Sequence, residues 1–148
     1  MIIRDYIVPE LISFIEAGNK EDAVKLLVEL AAKAGKVPDR GGFEDALFAR
    51  EKLLSTGIGF GIAIPHAKTT ELTQFFICIG ISKQGINWHS FDGKPVHMVF
   101  LIGGPEGEQE KYLKILATLT SIIKSSGIKE QLLSASTPEG ILAILRSV

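Results

Sequence analysis

Within the seventeen residues from Arg50 to His66 stand an arginine, two adjacent hydroxyls (Ser55 and Thr56), glycines at 57, 59 and 61, and a histidine behind Pro65. An imidazole can serve as a general base, a metal ligand or a phosphoryl acceptor. A phosphoryl group on it requires a nearby cation and several hydrogen-bond donors, and this set holds both. The parts are less telling singly. A lone histidine is usually structural, although His66, at the end of an apolar run, should emerge at a strand end. Closely spaced glycines let a backbone turn sharply or present N–H groups to an anion. The spacing is not G-x-G-x-x-G, because Ile62 takes the last place, nor a Walker loop, because no Gly-Lys-Ser/Thr follows. Arg50 falls at helical spacing on the side of Phe43, Leu47 and Leu54. A guanidinium there snorkels to the surface, enters a structural salt bridge or meets an anion, since an unpaired buried charge is costly.

The remaining reactive side chains exclude more than they offer. His89 follows Trp88 in a polar turn region, and His97 sits early in an apolar run, where it reads as a satisfied, half-buried residue. Three scattered histidines without paired Asp/Glu make no metal motif, so no metal and no cofactor are expected. No G-x-S-x-G marks a serine hydrolase. The single cysteine, Cys78, rules out a disulfide framework and a Cys-based zinc site, and its setting reads as core. Sixteen Lys+Arg against seventeen Asp+Glu give a net charge of −1. That balance argues against coating of nucleic acid, whose affinity rests on phosphate neutralisation. The apolar run at 75–81 is far shorter than the ~20 residues that span a bilayer. The start, Met1-Ile2-Ile3-Arg4-Asp5, lacks the pattern of a signal peptide. The expectation is a cytoplasmic protein without membrane insertion.

Several elements must position these residues. A helix is predicted over 21–34, capped by Asn19 with Asp22 as its capping-box partner and stopped by Gly35. Others are predicted over 42–54, over 109–124, and from Thr137, where Pro138 takes the first helical position. The runs 75–82 and 96–102 are apolar and rich in branched residues, which suits strands covered on both faces. A shorter strand is predicted at 62–64, with Ile64 pushed to extended geometry by Pro65. Asp92-Gly93 signals a hairpin-like connection between 86–88 and the strand at 96. The 148 residues are read as a single domain over 1–148. The predicted class is α/β, a mixed sheet with helices on both faces.

The string Arg50-Glu51, Ser55-Thr56-Gly57-Ile58-Gly59 and Gly61-Ile62-Ala63-Ile64-Pro65-His66 resembles the type-2 enzyme IIA domain of the bacterial phosphoenolpyruvate-dependent phosphotransferase system. This is the fructose/mannitol group, which includes the nitrogen-related regulatory enzyme IIA. Phe43, Trp88, Asp92-Gly93-Lys94-Pro95-Val96 and Val99-Phe100-Leu101-Ile102 support the match, which runs over about 19–145. The resemblance implies that a histidine takes a phosphoryl group from the phosphocarrier HPr and passes it to an enzyme IIB. By position that histidine is His66, reacting through Nε2. Arg50 is implied beside the site as charge compensation. Ser55 and Thr56 match positions near it, and we read them as donors.

One position departs from the pattern. Where the family often has a second histidine, this chain has Tyr112, followed by Leu113. Tyr112 lies on the stripe of Leu116, Leu119 and Ile123 and should point inward. A phenol can donate a hydrogen bond but cannot carry positive charge near neutral pH. The alternative to sugar transport is a regulatory enzyme IIA, whose phosphohistidine state switches binding to partner proteins.

Overall fold

The computed structural model describes residues 3–125 and 127–148. Its centre is an antiparallel pair, β5 (Phe76–Ile86) and β6 (Val96–Pro105). Outside β5 lies β1 (Ile12–Phe14), parallel to it. The other edge of β6 is taken in turn by β3 (Ile62–Ala63) and β4 (His66–Thr69), both parallel to it. β2 (Gly57–Gly59) closes on β3. The result is a mixed six-stranded sheet.

The two central strands are apolar on both faces because both are covered. Ile77, Ile79 and Ile81 point into one core, with α3 (Gln109–Ile123), α4 (Ile128–Ser134) and α5 (Pro138–Arg146). Phe76 and Cys78 point into the other, with α1 (Lys20–Lys33) and α2 (Arg40–Leu53). The predicted α/β class, with helices on both faces, is the observed one.

Local signals account for the helix starts. Asn19 Oδ1 accepts from Asp22 N at 2.8 Å, and Thr137 Oγ1 accepts from Gly140 N at 3.0 Å. α2 begins two residues before the predicted 42, because Asp39 Oδ1 accepts from Gly42 N at 3.0 Å and makes residues 40–42 its first turn. It ends one residue early. Leu54 is extended (φ −167°, ψ 138°) and 72% exposed, so it does not share the buried side of Phe43 and Leu47.

Other differences follow from tertiary pairing. The predicted strand at 62–64 stops at Ala63, and Ile64-Pro65 make a step between β3 and β4. Pro65 has no N–H to offer but still accepts from Ile102 N at 3.0 Å. The glycine segment, read as able to turn sharply or to present N–H groups, is partly strand: Gly57 to Gly59 pair with β3. Its tip turns back through three left-handed residues, Gly59 (φ 86°), Phe60 (φ 60°) and Gly61 (φ 77°). Asp92-Gly93 does form a turn, with Gly93 N donating to Ser90 O at 2.9 Å, but Trp88 lies beyond the end of β5. β1, α4 and the 3-10 turns Ile3–Tyr6 and Pro9–Leu11 carry no prediction.

Candidate functional site

His66 opens β4, the strand that pairs with the last four residues of β6. Strand alternation sends Ala67 into the α1/α2 core, so His66 and Lys68 face the opposite way, toward α3. The His66 ring is half-buried. Its Nδ1 lies 2.7 Å from the carbonyl oxygen of Ile64. A carbonyl can only accept, so Nδ1 carries the proton and Nε2 keeps its lone pair. The imidazole pKa is lowered from its ordinary 6.5, first by burial. The Ile64 carbonyl opposes this, Arg50 lowers the pKa further, Glu51 raises it, and Lys68 lowers it. The ring is therefore held neutral, with a nucleophilic Nε2 in a positive surround.

Arg50 reaches this site from the last turn of α2. Its Nη1 donates 2.9 Å to the Leu54 carbonyl, which pins the guanidinium at the helix end. No carboxylate lies within ion-pair distance of it among the described residues. Of the three readings of Arg50, the structural salt bridge is thus not the one formed.

The carboxylate next door is engaged elsewhere. Glu51, with a side chain only 8% exposed, accepts from Thr56 N (2.9 Å), Thr56 Oγ1 (2.5 Å) and Lys20 Nζ (3.4 Å). Fully buried Trp88 donates its Nε1–H to Thr56 Oγ1 at 3.2 Å. Ser55 Oγ donates to the Trp88 carbonyl at 3.3 Å and accepts from Gly57 N at 3.1 Å. Ser55 and Thr56 therefore stand in the loop under the site with both hydroxyl hydrogens directed into the scaffold. Thr56 also carries the loop to the histidine: its carbonyl accepts from Ile64 N at 3.0 Å, and the Ile64 carbonyl holds His66.

On the α3 side Tyr112 points inward, as its helical stripe predicts, and is 6% exposed. Its ring centroid is 5.5 Å from that of His66 and 6.3 Å from that of Phe75, on which it stacks. Burial pushes the phenol pKa up, while Arg50 pulls weakly the other way, so the group stays neutral at any ordinary pH. The stack depends on a missing side chain: a Cβ at Gly104 would meet the Phe75 ring at 2.2 Å. Lys68 Nζ sits 4.9 Å from the Tyr112 centroid and donates to Gln109 Oε1.

Arg50, His66 and Tyr112 thus come together. Ser55 and Thr56, read from the sequence as donors to the site, instead turn their hydroxyl hydrogens into the scaffold. Glu51 and Lys68 join the group. The last two follow simple rules: Glu51 lies just over one helical turn before Thr56, whose hydroxyl it receives, and Lys68 lies one strand period beyond His66. The other histidines stay outside. His89 is exposed with φ 58°, and His97 Nδ1 donates to Ser82 O at 2.9 Å. Among the described residues no three His, Cys, Asp or Glu side chains group to hold a metal ion, and no helix is long and apolar enough to cross a membrane.

Residues 5–148 match the family model described as "Phosphoenolpyruvate-dependent sugar phosphotransferase system, EIIA 2". The chain is 40% identical over 88% of its length to the PTS system fructose-specific EIIABC component of Bacillus subtilis, of which it spans 21%. It is 38% identical over 94% of its length to the PTS system fructose-specific EIIA component of Haloferax volcanii, covering 91% of that protein. The crystal structure of nitrogen regulatory protein IIA-Ntr from Neisseria meningitidis superposes with a TM-score of 0.90 at 29% identity, over 97% of this chain and 98% of that one. The chain belongs to the type-2 EIIA family of the phosphoenolpyruvate-dependent sugar phosphotransferase system.

Proposed function

We propose that His66 accepts a phosphoryl group on Nε2 from phospho-HPr and passes it to an enzyme IIB. The observation that carries this reading is the hydrogen bond from Nδ1–H to the Ile64 carbonyl. In the forward step the Nε2 lone pair forms the new N–P bond, and the electrons of the breaking N–P bond stay on the donor's nitrogen. Nδ1 keeps its proton, so the phosphorylated ring becomes cationic against the Ile64 carbonyl. In the onward step the N–P bond breaks, its electrons return to Nε2, and the neutral tautomer is restored. No proton moves in either direction, and no base is needed. The protein's part is positioning and charge compensation, as in phosphoryl transfer generally. Arg50 faces the incoming charge with no carboxylate to neutralise it. Ser55 and Thr56 hold the loop that aims Ile64.

Leu53, Leu54 and Leu113 are 81%, 72% and 53% exposed. They adjoin the Arg50 anchor and Tyr112, and such an apolar rim fits docking of a protein partner. A relative named EIIABC supports an enzyme IIB as recipient. The phosphoenolpyruvate dependence named in the family description supports a cytoplasmic setting for this chemistry. The likeness to a protein named for nitrogen regulation supports a second role, in which the phosphoryl state of His66 switches a regulatory partner. Pull-downs with both forms of the chain separate the roles: capture of an enzyme IIB favours transport, and state-dependent capture of another protein favours regulation.

The direct test is labelling with phosphoenolpyruvate, enzyme I and HPr. The expected label is acid-labile and absent from His66→Ala. An acid-stable label, or one that survives His66→Ala, overturns the assignment.

A further inference from the structure

A phosphoryl group brings nearly two negative charges, and beyond the ring that bears it Arg50 supplies only one positive charge. We infer that Lys68 is the second cation of the phosphoryl site, stored on the Tyr112 ring beside His66 and free to swing onto the phosphoryl oxygens when Nε2 is loaded. The inference rests on the reading of His66 as the acceptor.

Three observations carry it. First, His66 and Lys68 are alternate residues of β4, so both side chains leave the same face, roughly 6.6 Å apart at the backbone. A flexible four-carbon stem then places the ammonium over a group bonded to the ring. Second, one aromatic ring touches both. Tyr112 lies 5.5 Å from the His66 ring and 4.9 Å from Lys68 Nζ. Its face attracts a cation without cancelling its charge. Third, the resting partner of Lys68 is neutral. Nζ donates to the amide oxygen of Gln109, and no carboxylate pairs with it among the described residues. Transfer of the ammonium from an amide to a phosphoryl oxygen exchanges a neutral acceptor for a charged, stronger one. The influence of Lys68 on the unloaded imidazole has the sign this placement requires.

Tyr112 then works as a mount. Buried and neutral, it supplies no charge of its own, but its ring keeps the ammonium within reach. Lys68 becomes a group that contacts the phosphoryl oxygens, and Tyr112 a positioning residue that acts through it.

The experiment compares the unaltered chain with Lys68→Met, Lys68→Arg and Tyr112→Leu. The phosphoryl equilibrium with phospho-HPr is read by 31P NMR, and the His66 pKa of each unloaded protein by 1H–15N NMR. Lys68→Met should shift the equilibrium away from His66 about tenfold and raise the imidazole pKa. Lys68→Arg should restore most of the equilibrium, and Tyr112→Leu should fall with Lys68→Met. A wild-type equilibrium in Lys68→Met, with His66 labelled, overturns the role of Lys68 and leaves His66 standing. An unlabelled His66 in the wild-type protein overturns both readings. Equal losses in Lys68→Met and Lys68→Arg, with unchanged imidazole pKa values, reduce Lys68 to a packing residue and also overturn the inference.

Discussion

The His66 ring is held by the carbonyl of Ile64, two residues before it, at 2.7 Å from Nδ1. That contact exists because Ile64-Pro65 step out of regular pairing between β3 and β4. A continuous strand would commit the Ile64 carbonyl to a ladder. The break that looks like a defect in the edge is what selects the tautomer and leaves Nε2 reactive.

The electrostatics of that ring predict a pH response. Burial is the largest cause of its lowered pKa, and Glu51 opposes the shift. Phosphorylation requires the neutral ring, so the acid limb of the transfer rate should lie below pH 6.5. Glu51→Gln removes the group that raises the pKa and should move that limb lower. Arg50→Met removes one that lowers it and should move the limb higher while slowing transfer at every pH. An NMR titration of His66 in the three proteins checks the order, and a reversed order would show that Glu51 and Arg50 do not act through charge.

The loop beneath the site should be sensitive to loss of one hydroxyl. Thr56→Val is nearly isosteric, yet it strips a donor from Glu51 and the acceptor from buried Trp88 Nε1. Each orphaned buried group costs about 1–3 kcal/mol. A loss of about 2 kcal/mol or more is expected in urea unfolding. Thr56→Ser keeps the hydroxyl and should recover most of it.

Much of this site is legible in the sequence because it is local. Arg50, Ser55, Thr56 and His66 lie on one continuous stretch, and Pro65 marks where the histidine leaves the strand. The inward turn of Tyr112 follows from helical spacing alone. The pairing of Lys68 with Gln109 and Tyr112 is different. It spans some forty residues and arises only when β4 joins β6 in parallel and α3 lies across that face. Likewise β1, three residues long, is strand only because β5 offers a parallel partner. α4, seven residues long, is too short to show a helical period. The scaffold role of the two hydroxyls was equally hidden, since it depends on Trp88 arriving from beyond β5.

Packing behind the site predicts that Gly104→Ala is damaging at a distance. Its Cβ would overlap the Phe75 ring, which backs Tyr112. The ring must shift, at an overpacking cost of about 1–3 kcal/mol, and Tyr112 must move against His66. Lower stability and slower phosphoryl transfer are both expected. Adding Phe75→Leu vacates the space at the Cβ and should recover stability more than transfer, because the stack on Tyr112 is still lost. Equal recovery of both would mean that the stack does not matter to the site.

The lowered pKa of His66 also ties folding to pH, with a definite sign. In the unfolded chain the imidazole titrates near its ordinary 6.5, whereas in the fold it takes up a proton only at lower pH. Between those values the unfolded state binds more protons, so stability rises with pH. The contribution of His66 is complete above about 6.5 and declines as pH falls through the folded value. His66→Gln removes the titrating group and should flatten this part of the curve without changing its alkaline plateau's slope. Thermal melts from pH 7.5 down to 5 in both proteins provide the comparison. A His66→Gln curve as steep as the wild type would assign the acid sensitivity to other groups and refute the neutral resting state of the imidazole.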